Sequence, residues 1–234
     1  MDDFGGRLQR TSLAEQVEEA IARHILVNEL RPGASLPSIA RLAAEFGVSR
    51  PVVREALTSL EAKGIVTVVN GKAATVSPIT SDVLRDYFDR LLRQRADSMV
   101  ELLEVRRGLE IQAIVLAAQR RRPEDLAEMH DLLAQMRQAL GDPVRYAELE
   151  IQFHLAIAAT ARNRVLYHLI ESMRECIRQP MREGLQIQAA KGELPVVHTK
   201  HEVLVDCIER GDIERAAREM DLHLGRSFET RPEQ

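Results

Sequence analysis

Four side chains in the C-terminal part of the chain have types and spacings suited to binding a metal ion. Glu150 and His154 are one helical turn apart, so a helix would place a carboxylate and an imidazole on the same face. His201 and His223 fall on apolar stripes of later predicted helices and are expected to point inward. Three histidines and a carboxylate suit a divalent ion; zinc is expected, with nickel as the alternative, and an open coordination position could accept a carboxylate ligand. Taken singly, each histidine could instead be a hydrogen-bonded core residue.

The other histidines and the two cysteines carry weaker signals. His198 precedes His201 by one turn and is expected either next to the metal ligands or at the surface. Cys176 and Cys207 lie 31 positions apart without the paired spacing of a thiolate zinc site, so both are predicted to be ordinary buried thiols. Three further histidines are expected to be solvated or structural: His24, His130 and His168.

A second group of residues, near the N-terminus, is suited to contacting DNA. Arg50 and Arg54 are one turn apart at the start of a predicted helix, where arginine can bind guanine through two hydrogen bonds or clamp a phosphate. The hydroxyl of Ser49 and the free N–H groups of that first turn suit a phosphate oxygen. Gly71 would let the backbone of a hairpin approach the minor groove, and Lys72 adds positive charge there. The alternative is that the two arginines lie on an ordinary solvated helix face.

The elements that must position these DNA-contacting residues have the order of a winged helix-turn-helix. Three amphipathic stretches predict helices, with Ser12 and Ser49 as caps of the first and third. A β-branched run, the turn Asn70-Gly71 and a second short run then predict a β-hairpin. The predicted elements, within a domain of residues 1–78, are helices over 13–29, about 38–46 and 50 to about 63 and strands over 65–69 and 72–76.

The remaining residues, 79–234, predict an all-α helical bundle, so the fold class is mainly α. Glycine, proline and asparagine supply breaks at the loop lengths typical of helical bundles. Seven helices are predicted: 82–95, 99–122, 124–140, 144–161, 165–190, 196–210 and 213–228.

The charge distribution is uneven along the chain. The net charge of the 234 residues is −4, yet residues 31–72 carry six basic against three acidic side chains. A basic patch on an acidic protein is typical of a chain in which one domain contacts DNA. No apolar stretch is long enough to cross a membrane, and Met1–Thr11 lacks the apolar run of a signal peptide, so we expect a cytoplasmic protein.

Three segments of the N-terminal part resemble the signature of the GntR family of bacterial regulators: Leu30–Gly33, Gly47–Leu57 and Leu60–Val66. The resemblance implies that Arg50 and Arg54 contact DNA. The family usually has a Glu-Arg pair after Leu36-Pro37-Ser38, whereas this chain has Ile39-Ala40. Arg41 is the candidate to replace the missing contact, although it points about 100° away from position 40 on a helix.

Segments of the C-terminal part resemble the FCD effector domain of the FadR branch of that family: Leu102–Glu110, Glu150–His154, His201–Ala217 and Met220–Leu224. In metal-binding FCD domains the matching positions supply an aspartate and three histidines, which here are Glu150, His154, His201 and His223. Glutamate replaces the aspartate of the family. Its additional methylene still allows coordination.

These observations predict a DNA-binding transcriptional regulator rather than an enzyme. We expect a repressor that binds a palindromic operator as a homodimer and responds to a small organic acid. Arg106 is a candidate contact for that anion; the alternative is an ion pair with Glu110 on a solvated face. A different hypothesis, a metal-dependent hydrolase or oxygenase, would use the same four ligands. It lacks a general base near them and leaves the winged domain unexplained.

Overall fold

The computed structural model describes residues 12–95 and 97–229, of which 226–229 are described by their backbone only. The segment considered above for a signal peptide, Met1–Thr11, lies outside the described residues. The chain divides into two compact units between Val83 and Leu84. The described part is mainly helical, with one small two-stranded sheet, which confirms the predicted fold class.

The N-terminal unit has the predicted order of three helices followed by a hairpin. Its first helix starts with a capping box: Ser12 Oγ accepts from the Glu15 N–H, and the Glu15 carboxylate accepts from the Ser12 N–H. Its elements are α1 (Leu13–Val27), α2 (Ile39–Phe46), α3 (Arg50–Ala62), β1 (Val66–Thr67) and β2 (Thr75–Val76).

The core of this unit forms where α1, α2 and the hairpin pack around α3. Val53 and Leu60 of α3 are completely buried, and Val17 and Ile21 of α1 are nearly so. Leu42 and Ala43 of α2 are buried in this core, whereas Phe46 is 37% exposed. It is the last residue of α2, where Gly47 adopts a left-handed conformation and turns the chain away.

The hairpin is shorter than predicted. Only two residue pairs lie in the ladder, Val66 with Val76 and Thr67 with Thr75. The predicted turn is present, since the Lys72 N–H donates to the Val69 carbonyl at 3.0 Å. Just beyond the ladder, the Val68 N–H donates to the Glu61 carboxylate on α3 at 2.9 Å, which ties the hairpin to that helix.

The described residues of the C-terminal unit form eight helices where seven were predicted. Between 165 and 190 the single predicted helix is broken at Ile177. Proline explains the break, because Pro180 has no N–H to donate to the carbonyl of Cys176 and its ring would clash with that carbonyl. The helices are α4 (Asp82–Gln94), α5 (Ser98–Arg120), α6 (Pro123–Gln138), α7 (Pro143–Thr160), α8 (Arg164–Cys176), α9 (Arg178–Ala190), α10 (Leu194–Arg210) and α11 (Ile213–Glu229), with a short 3-10 turn at Ala139–Gly141.

Helix α7 is the central helix of this unit and packs against α5, α6, α8 and α9. Apolar residues therefore lie on several of its sides, including Tyr146, Phe153 and Ala158, all completely buried. Polar side chains buried on α7 are exceptions that need partners, and they mark the candidate site described next. Among the described helices, none is both long and apolar enough to cross a membrane.

Candidate DNA-contacting surface and metal centre

The start of α3 presents an exposed polar surface. Ser49, Arg50 and Arg54 are all exposed, and their backbone is anchored because Val53 of the same turn is completely buried. Ser49 has the extended backbone of a helix cap, but its hydroxyl does not accept the predicted capping hydrogen bond. The opening turn of α3 therefore offers two guanidinium groups and a hydroxyl toward solvent, which is the chemistry that a phosphate or a guanine edge requires.

Helix α2 and the hairpin tip carry the remaining predicted DNA contacts. Arg41 is exposed and pairs with Glu45 one turn later, at 2.8 Å. Because water screens such a pair, it holds Arg41 only weakly. Gly71 and Lys72 are exposed at the tip of the hairpin, and the φ of Gly71 is +78°, a left-handed conformation that favours glycine.

The four predicted metal ligands converge in the C-terminal unit. All four side chains are buried, and one ligand atom of each lies within 4.8 Å of the others. They come from three helices: α7 supplies two of them and α10 and α11 supply one each. The set is Glu150, His154, His201 and His223.

The distances within this set fit a divalent cation. His154 Nε2 lies 3.1 Å from Glu150 Oε1 and 3.1 Å from His223 Nε2. Nitrogen atoms bound to one zinc ion at about 2.0–2.1 Å are about 2.9–3.4 Å apart, depending on the coordination geometry. His201 Nε2 is buried and has no hydrogen-bond partner among the described residues. A cation would satisfy it, so the residues present fit a metal ion.

The buried histidines are held in the neutral form that metal ligation requires. Burial, together with the nearby His154, lowers the pKa of His201 to about 3. Burial and the neighbouring His201 hold the pKa of His223 well below its usual range. Both imidazoles are therefore uncharged at neutral pH, and each has a lone pair to give to a cation.

A layer of buried charges surrounds the histidine cluster. His154 Nδ1 lies 2.6 Å from Glu110 Oε2, and Nε2 on the other side of the ring faces Glu150 and His223. Arg174 Nη2 donates to the same Glu110 oxygen at 2.6 Å, and Arg174 Nη1 donates to Glu150 Oε2 at 3.3 Å. Burial alone would raise the pKa of Glu110, but Arg106 and Arg174 together outweigh it and hold that pKa well below its usual range.

Arg106 was predicted either to face the interior as a contact for an anion or to pair with Glu110 on a solvated face, and it has one feature of each. It pairs with Glu110, Nε to Oε1 at 2.5 Å, as the second alternative predicted. The face is not solvated, however, because Arg106 is only 4% exposed and Glu110 only 2%. The structure thus corrects the expected surface ion pair to an interior one, next to the candidate metal ligands.

Sequence reasoning missed Arg174, which is completely buried on α8. A signal was present, since Leu166, Ile170 and Arg174 are spaced four residues apart and put an arginine on an apolar stripe. Tyr146 was also missed; its buried hydroxyl lies 3.4 Å from His201 Nδ1. A tyrosine in an apolar run carries no such signal.

The weaker sequence signals have mixed outcomes. His198 is buried rather than at the surface, and its ring lies 6.3 Å from that of Tyr146. Cys207 is buried as predicted, whereas Cys176 is only partly buried. His24 and His130 are exposed, and the partly buried His168 lies 3.3 Å from Glu171.

The winged unit with exposed arginines and the separate helical unit with a buried ligand cluster define a class: transcriptional regulators with an effector domain. Residues 13–76 match the gntR family of bacterial regulatory proteins, and residues 101–226 match the FCD domain. The chain belongs to the GntR family, carries an FCD domain, and is a transcriptional regulator rather than an enzyme. The recognised resemblance is thereby confirmed, and the hydrolase or oxygenase hypothesis gains no support.

The sequences of several transcriptional regulators align with most of the chain. The transcriptional regulator LutR of Bacillus subtilis is 31% identical over 84% of this chain and 90% of its own length. The transcriptional repressor NanR of Cronobacter sakazakii is 27% identical over 95% of this chain and 86% of its own. A solved GntR structure from Streptococcus agalactiae has the same fold, with a TM-score of 0.71, 24% identity and coverage of 91% of this chain and 97% of that one.

Proposed function

We propose that this regulator is a repressor whose affinity for its operator is controlled by a small organic acid, bound beside a divalent metal in the FCD domain. The observation that carries the proposal is the buried convergence of Glu150, His154, His201 and His223. Within it, His201 Nε2 has no hydrogen-bond partner among the described residues, and such a group is costly to bury unless a ligand uses it. Repression is supported by the name of the relative NanR, a transcriptional repressor.

In this proposal the DNA-reading turn is the start of α3. Arg50 and Arg54 would reach base edges or phosphates in the major groove, and the Ser49 hydroxyl would bind a phosphate. Arg41 would exchange its exposed partner Glu45 for a phosphate oxygen. Gly71 and Lys72 would approach the adjacent minor groove.

The metal ligands would be the four converging side chains, with zinc as the expected ion and nickel as the alternative. A bound ion would supply a Lewis-acid position for a carboxylate of the effector. Arg106 would contact the same anion through its terminal nitrogens, because its Nε already donates to Glu110. Tyr146 would hold the His201 ring in position through Nδ1.

Control of DNA binding requires two arrangements of the DNA-reading heads. We infer a homodimer on a palindromic operator, because one recognition helix makes few base contacts and two linked heads gain affinity by avidity. The effector must prefer one arrangement, since equal affinity for both would shift nothing.

The test is to select bound duplexes from random DNA with the zinc-loaded protein and to measure their affinity by fluorescence anisotropy. We expect enriched sequences with two-fold symmetry, bound far more tightly than random DNA at moderate salt. Binding should weaken when an effector acid is added and when zinc is removed by a chelator. Equal affinity for all duplexes would overturn the proposed function.

A further inference from the structure

Without a metal ion, the positive and negative side chains buried around the ligand cluster are equal in number. Arg106 and Arg174 carry two positive charges, and Glu110 and Glu150 carry two negative ones. Two more exposed charges beside His198, those of Arg137 and Glu202, also pair with each other. Among the described residues the side chains of this site are therefore close to neutral when the histidines are uncharged.

A divalent ion changes this balance. Metal-ligating histidines are neutral and Glu150 is already counted, so the ion adds two positive charges to a region shielded from water. An uncompensated charge in such a region is strongly disfavoured. The two arginines cannot be neutralised to relieve it, because guanidinium groups keep their proton in proteins.

We propose that the effector of this site is a dianion, namely a small dicarboxylate rather than a monocarboxylate. This inference rests on the proposed function, because it requires the metal ion at Glu150 and the three histidines. One carboxylate would complete the coordination of the ion, and the other would lie against the arginine pair. Together they cancel the two excess charges.

The structure offers an available donor for the second carboxylate. Arg174 is completely buried, and its two terminal nitrogens donate to Glu150 and Glu110. Its Nε is buried and has no hydrogen-bond partner among the described residues. A buried donor without an acceptor is rare in folded proteins, and a charge-assisted bond to a carboxylate would satisfy it.

Calorimetry on the zinc-loaded protein tests the inference with malonate, succinate and glutarate, each compared with its own half-amide. The half-amide keeps the size and one carboxylate but loses one charge. We expect at least one dicarboxylate to bind about tenfold or more tightly than its half-amide. By linkage, that dicarboxylate should also slow the loss of zinc to a chelator, and its half-amide should not.

Variants of the two buried arginines test whether the charge of the site determines the preference for a dicarboxylate. In Arg174→Gln the excess positive charge of the zinc-loaded site falls by one. The ratio of the half-amide Kd to the dicarboxylate Kd should therefore fall toward one. Arg174→Lys keeps the charge and should retain most of that ratio. The matched control is Arg162→Gln, since Arg162 pairs with Asp125 away from the ligand cluster. If Arg174→Gln loses its helical circular dichroism, Arg106→Gln makes the same change in charge at the same site.

The outcomes are distinguishable. Elemental analysis that finds no bound metal would overturn the proposed function and this inference together. If zinc is bound but half-amides bind as tightly as dicarboxylates, or none of the three dicarboxylates binds, only the inference of a dianion fails. Unchanged selectivity in Arg174→Gln, with zinc retained, would also contradict it.

Discussion

Arg174 and Glu110, which are 64 residues apart in the chain, form an ion pair of 2.6 Å that is almost completely buried in the C-terminal unit. The pair joins α8 to α5, and Arg174 also reaches Glu150 on α7. A single guanidinium therefore ties three helices together directly beside the candidate metal ligands. Substitution of any of these three groups is therefore expected to change the stability of the C-terminal unit.

Replacing Glu110 with glutamine should destabilise the C-terminal unit. The substitution leaves Arg106 and Arg174 buried without their shared carboxylate, which typically costs about 3–5 kcal/mol. Urea denaturation followed by circular dichroism measures the change. The control is Asp221→Asn: Asp221 pairs with Arg107 at a similar distance, but both are more than 40% exposed, so only a small effect is expected. Equal effects of the two substitutions would show that burial of the Glu110 pair is unimportant.

His201→Ala should lower the zinc content of the purified protein while leaving its helicity largely intact. The substitution removes one of the four proposed ligands, and its effect on zinc affinity should exceed the roughly 10- to 100-fold typical of losing a residue that merely supports a ligand. Elemental analysis and competition with a chelator measure it. His130→Ala is the matched control, because His130 is 54% exposed and remote from the cluster. Full zinc retention in His201→Ala would remove His201 from the ligand set.

Arg54→Ala should weaken operator binding and reduce the magnitude of the salt dependence, the slope of log K against log salt concentration, by about one. The reason is that one fewer phosphate charge is neutralised. Anisotropy titrations at several salt concentrations give this slope. Arg23→Ala on α1 removes the same charge from an exposed position outside the DNA-reading turn and should leave the slope unchanged. An unaltered slope in Arg54→Ala would exclude Arg54 as a contact.

Gly71→Ala should destabilise the N-terminal unit by about 1–2 kcal/mol, because an L-residue is strained at a φ of +78° even though a Cβ would meet no neighbour. Gly108→Ala is the comparison, because it should change the free energy of unfolding in the opposite direction. Gly108 lies in α5 with open space around it, so alanine should stabilise that helix by about 0.5–1 kcal/mol. Thermal unfolding measures both. An unchanged unfolding temperature in Gly71→Ala would mean that the hairpin tip adopts another backbone conformation without loss of stability.

Cys176 should react slowly with iodoacetamide in the folded protein. Burial, aided by Asp89, raises the pKa of its thiol to about 12. A raised pKa keeps the thiol protonated, so at pH 8 only about one molecule in 10⁴ carries the reactive thiolate. Mass spectrometry should find rapid labelling only after unfolding in urea. Fast labelling of the native protein at pH 8 would contradict the raised pKa of this thiol.

Much of the fold could be predicted because its signals are local. The apolar spacing of α1 and the capping pair Ser12 and Glu15 act within a few residues of one another, and the structure retains both. The helix predicted over 165–190 breaks at Ile177 because of Pro180, which is also a local signal. The bond from the Val68 N–H to the Glu61 carboxylate could not be predicted in this way, because Glu61 lies on a different element, α3.

The sequence by itself determined the order of the elements and the inward direction of His201 and His223, since helical periodicity depends only on neighbouring residues. Only the tertiary structure decided that Glu110 and Arg174 surround those histidines. Their contacts join residues on separate helices, and no spacing along one helix states which helices pack together. Buried charged groups need partners, and the packing of the helices determines which oppositely charged side chains lie close enough to pair with them.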